Sequence, residues 1–78
     1  MSLKDALLQC FKDEPNIIFG IQDLCRKVQK YYTFSDFQRE LDSRHPQPRY
    51  EHEIRSRVNN LRQKRLITHL GRNQYKLS

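Results

Sequence analysis

The feature that most constrains this 78-residue chain is the stretch 49–65, RYEHEIRSRVNNLRQKR. Ile54, Val58 and Leu61 recur at spacings of four and three, which places them on one stripe of an α-helix, with Tyr50 beside it one turn earlier. The stripe is narrow and the rest of the helix is polar, so the helix is stable only when docked on apolar surface supplied by the remaining chain. The opposite face holds His52, Ser56, Asn59, Asn60 and Gln63, with Arg55 and Arg62 on its shoulder. The pattern predicts a helix over 49–64, with Glu51 and Glu53 in its first turn and Arg62 and Lys64 near its end, as the helix dipole favours.

The rest of the chain is read as the surface on which that helix docks. Ser2 is placed to cap a helix over 2–12, with Leu3, Ala6, Leu7, Cys10 and Phe11 on one face, and Pro15 ends it. An apolar run bounded by Pro15 and Gly20 predicts a short strand or extended segment over 16–19. Ile21, Leu24, Cys25, Val28 and Tyr31 or Tyr32 predict a second amphipathic helix over 21–31. Ser35 can cap a short helix over 35–42, with Phe37 and Leu41 facing inward, before a loop over 43–48 that contains two prolines. Two alternating segments around Gly71-Arg72-Asn73 predict a β-hairpin over 66–77. The expectation is one domain over 1–78, mainly α with a small C-terminal β-hairpin (α+β), in the order α-β-α-(short α)-α-β-β.

Charge sharpens this reading. Residues 1–48 carry seven Lys/Arg and seven Asp/Glu, whereas residues 49–78 carry eight Lys/Arg against Glu51 and Glu53. The entire net charge of +6 therefore belongs to the last thirty residues. A basic third beside a neutral remainder points to a polyanionic partner, the plain alternative being a solvated surface.

The succession Ile-Arg-Ser-Arg-Val-Asn-Asn-Leu-Arg-Gln-Lys-Arg-Leu-Ile, then Thr-His-Leu-Gly-Arg-Asn-Gln-Tyr-Lys-Leu, resembles the winged-helix branch of the helix-turn-helix proteins. Many of these pass from a recognition helix through a basic residue and Leu-Ile into a wing with a Gly-Arg tip and a Tyr-x-Leu last strand. Residues 17–28, an extended start running into a helix, add to the likeness, which covers most of the chain as a pattern of residue types. One departure is the long connection over 32–48, where helix-turn-helix turns are ordinarily short. The resemblance implies a double-stranded DNA-binding module similar to small transcription regulators. Its recognition helix would lie in the major groove and its wing on backbone or minor groove.

Candidate contacts follow by chemistry. Asn and Gln pair bidentately with adenine, Arg with guanine, and Ser with either, which nominates Ser56, Asn59, Asn60 and Gln63. Residues early in such a helix reach deepest, favouring Arg49, His52, Arg55, Ser56 and Asn59, while Gln63 lies nearer phosphate height. Backbone phosphate is the expected partner of Arg57, Arg62, Lys64, Arg65 and Lys76, and of Arg26 and Lys27 on the second helix. Arg57 and Lys64 have the alternative of lying over the core edge. Arg72 at the hairpin tip suits a minor groove. For each residue the plain alternative is an ordinary solvated side chain, and the set weighs more than any member.

Other chemistries find little footing. Cys10, Cys25, His45, His52 and His69 are scattered and lack metal-ligand spacing, so no metal or cofactor is expected, and the cysteines read as core filling. No nucleophile motif, glycine-rich phosphate loop or paired carboxylates predict an enzyme or a small-molecule ligand. No apolar run reaches a membrane span and no signal-peptide pattern opens the chain, so the expectation is a cytoplasmic protein, at the nucleoid or in the nucleus according to the cell. An interface this small leaves room for a homodimer. The competing reading is a winged helix used for protein interaction, with Tyr31, Tyr32, Phe34 and Phe37 as an exposed aromatic surface. RNA is a weaker third, because aromatics do not interleave with the basic residues.

Overall fold

The computed structural model describes residues 1–40 and 48–78. Four helices precede a two-stranded antiparallel hairpin: α1 (Leu3–Asp13), α2 (Ile21–Lys27), α3 (Asp36–Arg39), α4 (Arg49–Gln63), β1 (Ile67–Gly71) and β2 (Gln74–Leu77). The chain is thus mainly helical with a C-terminal hairpin, an α+β arrangement. No helix among the described residues is long and apolar enough to cross a membrane.

In α1, Ser2 caps through its Oγ, which accepts from the Asp5 N–H at 3.2 Å, and the five apolar positions at helical spacing are all buried. α4 docks through Ile54, Val58 and Leu61, all at most 1% exposed, and packs against α1, α2, α3 and β1. It is the element on which the core converges, completed by Leu24, Val28, Phe34 and Ile67.

Several sequence expectations are corrected. The run over 16–19 forms no continuous strand: of its residues only Phe19 pairs, with Tyr75, through bonds of 2.7 and 2.9 Å. The turn bond from the Ile17 N–H to the Glu14 carbonyl uses one end of the run, and α2 starts at Ile21, so one residue remains for pairing. Ile17 and Ile18 are half-exposed, while Phe19 meets Phe11 edge-on at 5.5 Å. The helix over 21–31 is α-helical only to Lys27 and tightens into a 3-10 turn over Val28–Lys30. There the Gln29 amide donates to the Cys25 carbonyl at 2.9 Å, taking an acceptor that a continuing helix would use.

The helix over 35–42 ends at Arg39, and Glu40 is extended. Its start is as expected, with Ser35 and Gln38 exchanging a capping-box pair at 3.2 and 2.9 Å. Phe37 does not face inward. It is 61% exposed, and the inward position belongs to Phe34, stacked on Tyr50 at 4.4 Å. Leu41, Asp42 and the loop over 43–47, including His45, lie outside the described residues; Pro48 is the N-cap of α4. The long connection does not part α2 from α4. The Arg49 N–H donates to the Glu40 carbonyl at 2.9 Å, so the chain leaves and re-enters at neighbouring points.

In the hairpin Ile67 opposes Leu77 and His69 opposes Tyr75, and a bulge between His69 and Gly71 brings Gly71 opposite Gln74. The turn is Arg72-Asn73 alone, Gly71 being the last residue of β1.

Candidate nucleic-acid interface

The polar part of α4 divides into three strips, as its 100° step per residue dictates. His52, Ser56 and Gln63 are outermost and exposed. Arg55, Asn59 and Arg62 occupy the flank toward the hairpin. Arg57, Asn60 and Lys64 occupy the other flank, where Arg57 and Asn60 line a groove with Ser2, Lys4, Tyr32 and Glu53. Lys64 stands beside Lys4, and the neighbouring ammonium lowers its pKa.

The hairpin flank is where separate elements meet. Arg55 from α4 and His69, Arg72, Asn73 and Tyr75 from the hairpin line a cleft of about 440 Å³. Arg62 adds a donor, its Nη1 lying 3.4 Å from His69 Nδ1, and the His69 and Tyr75 rings stack at 4.8 Å. Neither His69 nor Tyr75 is nominated by sequence. Their cross-strand opposition, readable once the hairpin register is known, is the signal that would find them.

Arg55 is held from beneath. Its Nη2 lies 3.1 Å from Glu51 Oε1, and that carboxylate is 3% exposed and also accepts from Gln22 Nε2 of α2 at 3.2 Å. Glu51 is therefore more than a dipole partner: it ties the first turn of α4 to α2. The spacing of four to Arg55 is visible in sequence, whereas the burial is not.

The cleft is braced at its far end. Asn73 takes a left-handed φ of 58°, and its Oδ1 accepts from the Ile21 N–H at 2.8 Å, satisfying the first orphan donor of α2. The Gly20 N–H donates to Asp23 Oδ2 at 3.0 Å. That bond, with the Arg26 guanidinium second, holds the Asp23 carboxyl below the usual carboxylate range.

Other nominated residues stand apart from the cleft. Arg49 packs its guanidinium on the Phe37 ring at 4.6 Å, against α3. Arg26 pairs with Asp23 at 2.6 Å. Lys27 pairs with Glu14 at 3.1 Å, at the end of α2 nearest the α1 C-terminus. Arg65 and Lys76 are not among the residues lining the cleft. The expected aromatic surface is not an exposed cluster: Phe34 is buried, Tyr31 and Tyr32 are half-buried, and only Phe37 projects. Tyr31 donates its hydroxyl to Asp13. Cys10 and Cys25 are buried, and desolvation pushes both thiols up to about 11, leaving them protonated at neutral pH. Among the described residues no group of three His, Cys, Asp or Glu could hold a metal ion. No protein-family model matches the chain, and neither a curated protein nor a solved structure does.

Proposed function

We propose that this chain is a winged-helix module that binds double-stranded DNA, with α4 in the major groove and the β1–β2 hairpin as the wing along the backbone. The observation that carries the reading is the cleft that Arg55 and Arg72 line between α4 and the hairpin, with Arg62 against His69 beside it, within the thirty residues that hold the chain's whole positive excess. A helix about 10–12 Å across fits a B-form major groove about 12 Å wide. The deep, narrow major groove of A-form RNA does not admit it, which favours DNA. His52, Ser56 and Asn59 are the base-edge readers, and the arginines toward the hairpin are the backbone grip. Regulation of transcription is the role such a module serves, and a second copy would extend its short footprint.

The test is salt-dependent binding to duplexes of arbitrary sequence. The variants of choice are Arg62→Ala and Arg72→Ala, since Arg55 also neutralises the buried Glu51 and its loss would disturb the fold. Each substitution is expected to cost on the order of tenfold in affinity at low salt. Together they should flatten the slope of log affinity against log salt by about 0.9, one phosphate's worth. An affinity equal to that of the parent chain would refute the proposal.

A further inference from the structure

We infer that the cleft between α4 and the hairpin is a seat for one phosphate group, clasped by Arg55, Arg62 and Arg72, and that Asn73 positions it by pinning the hairpin tip to the start of α2. The inference rests on the proposed DNA-binding reading for its natural ligand, a backbone phosphodiester. The same chemistry would accept the phosphate of a free nucleotide.

The walls come from different elements, with Arg55 on α4 and Arg72 on the hairpin turn, and Arg62 of α4 reaches the lining through His69 at 3.4 Å. Guanidinium groups suit a phosphate because their planar donors match its oxygens bidentately. Long side chains on separate elements would ordinarily lose much rotamer freedom in converging on one anion. Here the backbone carrying Arg72 is fixed in relation to Arg55 by a short polar relay. Asn73, the next residue, accepts from the Ile21 N–H at 2.8 Å. Gln22, the residue after Ile21, donates to Glu51 at 3.2 Å. Glu51 in turn holds Arg55 at 3.1 Å. The start of α2 therefore fixes the backbone that carries Arg72 in relation to the Arg55 guanidinium, and pre-organisation of this kind lowers the cost of binding.

Two features show that the pin is built for close approach. Asn73 sits in the left-handed region, which Asn tolerates better than most residues. Gly20 has no Cβ, and one placed there would lie 2.8 Å from Asn73 Nδ2 and 3.3 Å from the Asn73 carbonyl oxygen. Asn73 is thus a positioning residue, acting on phosphate through Arg72.

The experiment compares the full chain with Arg72→Ala, Asn73→Gly and the double variant for binding to a labelled blunt duplex across a salt series. Asn73→Gly keeps the turn conformation and removes the pin. Each single variant is expected to lose on the order of tenfold in affinity and to flatten the salt slope by about 0.9, with the double variant no weaker than either single. Gly20→Ala, with Asn73 intact, should reproduce Asn73→Gly and guards against a local folding defect. Circular dichroism and amide spectra check that α1 and α4 are unchanged. Parent-like affinity for Asn73→Gly and Gly20→Ala, or additive losses in the double variant, would overturn the inference. A parallel titration with inorganic phosphate, read on His69 and arginine side-chain resonances, separates the two proposals. If the parent chain ignores duplex but phosphate shifts these signals, and less so in Asn73→Gly, the seat stands and the DNA reading falls. If neither ligand binds, both fall.

Discussion

Arg65 closes α4 in a backbone conformation that an arginine does not favour. Its φ is 62°, and the Leu66 N–H reaches back to the Leu61 carbonyl at 3.0 Å, the wide turn that ends many helices. Glycine is the usual occupant, because a side chain in the left-handed region costs about 1 kcal/mol. The proposed phosphate contact would give the charge of Arg65 a task outside the fold. Arg65→Gly is expected to stabilise the free chain by about 0.5 kcal/mol, the relief of strain being partly offset by the greater freedom of glycine in the unfolded chain. Duplex affinity should fall at the same time. Denaturant unfolding and a binding titration on the same variant would measure both. A variant more stable and equally tight-binding would leave Arg65 with no part in recognition. Asn73, the other left-handed residue, differs because its side chain makes a bond that glycine cannot.

At the scale of elements, α4 is both the centre of the core and the proposed reading surface, and the Glu51–Arg55 pair lies where these two roles meet. Glu51 is buried, whereas the Arg55 side chain is 49% exposed. Their removal is therefore unequal. Arg55→Ala leaves a buried carboxylate with the Gln22 amide as its one remaining side-chain donor among the described residues, which should cost about 2 kcal/mol. Glu51→Gln leaves an arginine that water can solvate and an amide that still meets Gln22, and should cost about 1 kcal/mol or less. Unfolding of the two variants in urea would show the order, and a larger loss for Glu51→Gln would mean that the carboxylate, not its burial, is what α4 depends on. This asymmetry was only half legible. The stripe Ile54, Val58 and Leu61, the Ser2 cap and the hairpin are visible in sequence because they follow from spacing and local chemistry. The single pairing of Phe19, and the exchange of roles between Phe34 and Phe37, depend on where the chain turns after α2. The bond from Ile21 to Asn73 joins residues 52 apart, and no local pattern announces it.

For the molecule as a whole, the charge distribution sets two opposing salt responses. The positive excess is confined to residues 49–78, and Lys4 of α1 adds to it by standing beside Lys64, close enough to lower the pKa of that lysine. An excess of like charges opposes the compact state when nothing anionic is bound. The ion pairs among the described residues work the other way, but those of Arg26 with Asp23 and Lys27 with Glu14 are exposed and contribute little. Repulsion should therefore dominate the free chain. Its melting temperature is expected to rise by a few degrees as sodium chloride is raised from about 0.01 to 0.1 M, over which the screening length shrinks from about 30 to about 10 Å. The complex should respond oppositely, losing affinity over the same range as counterions compete for the phosphates. Lys64→Gln removes one partner of the like-charged Lys4–Lys64 pair, so its rise in melting temperature should be smaller than that of the parent chain. A melting temperature that falls with salt would assign the fold to its ion pairs, and the basic surface would then cost the free chain nothing. A rise for the free chain beside a loss for the complex would identify that surface as one whose charge is neutralised only when a polyanion is bound.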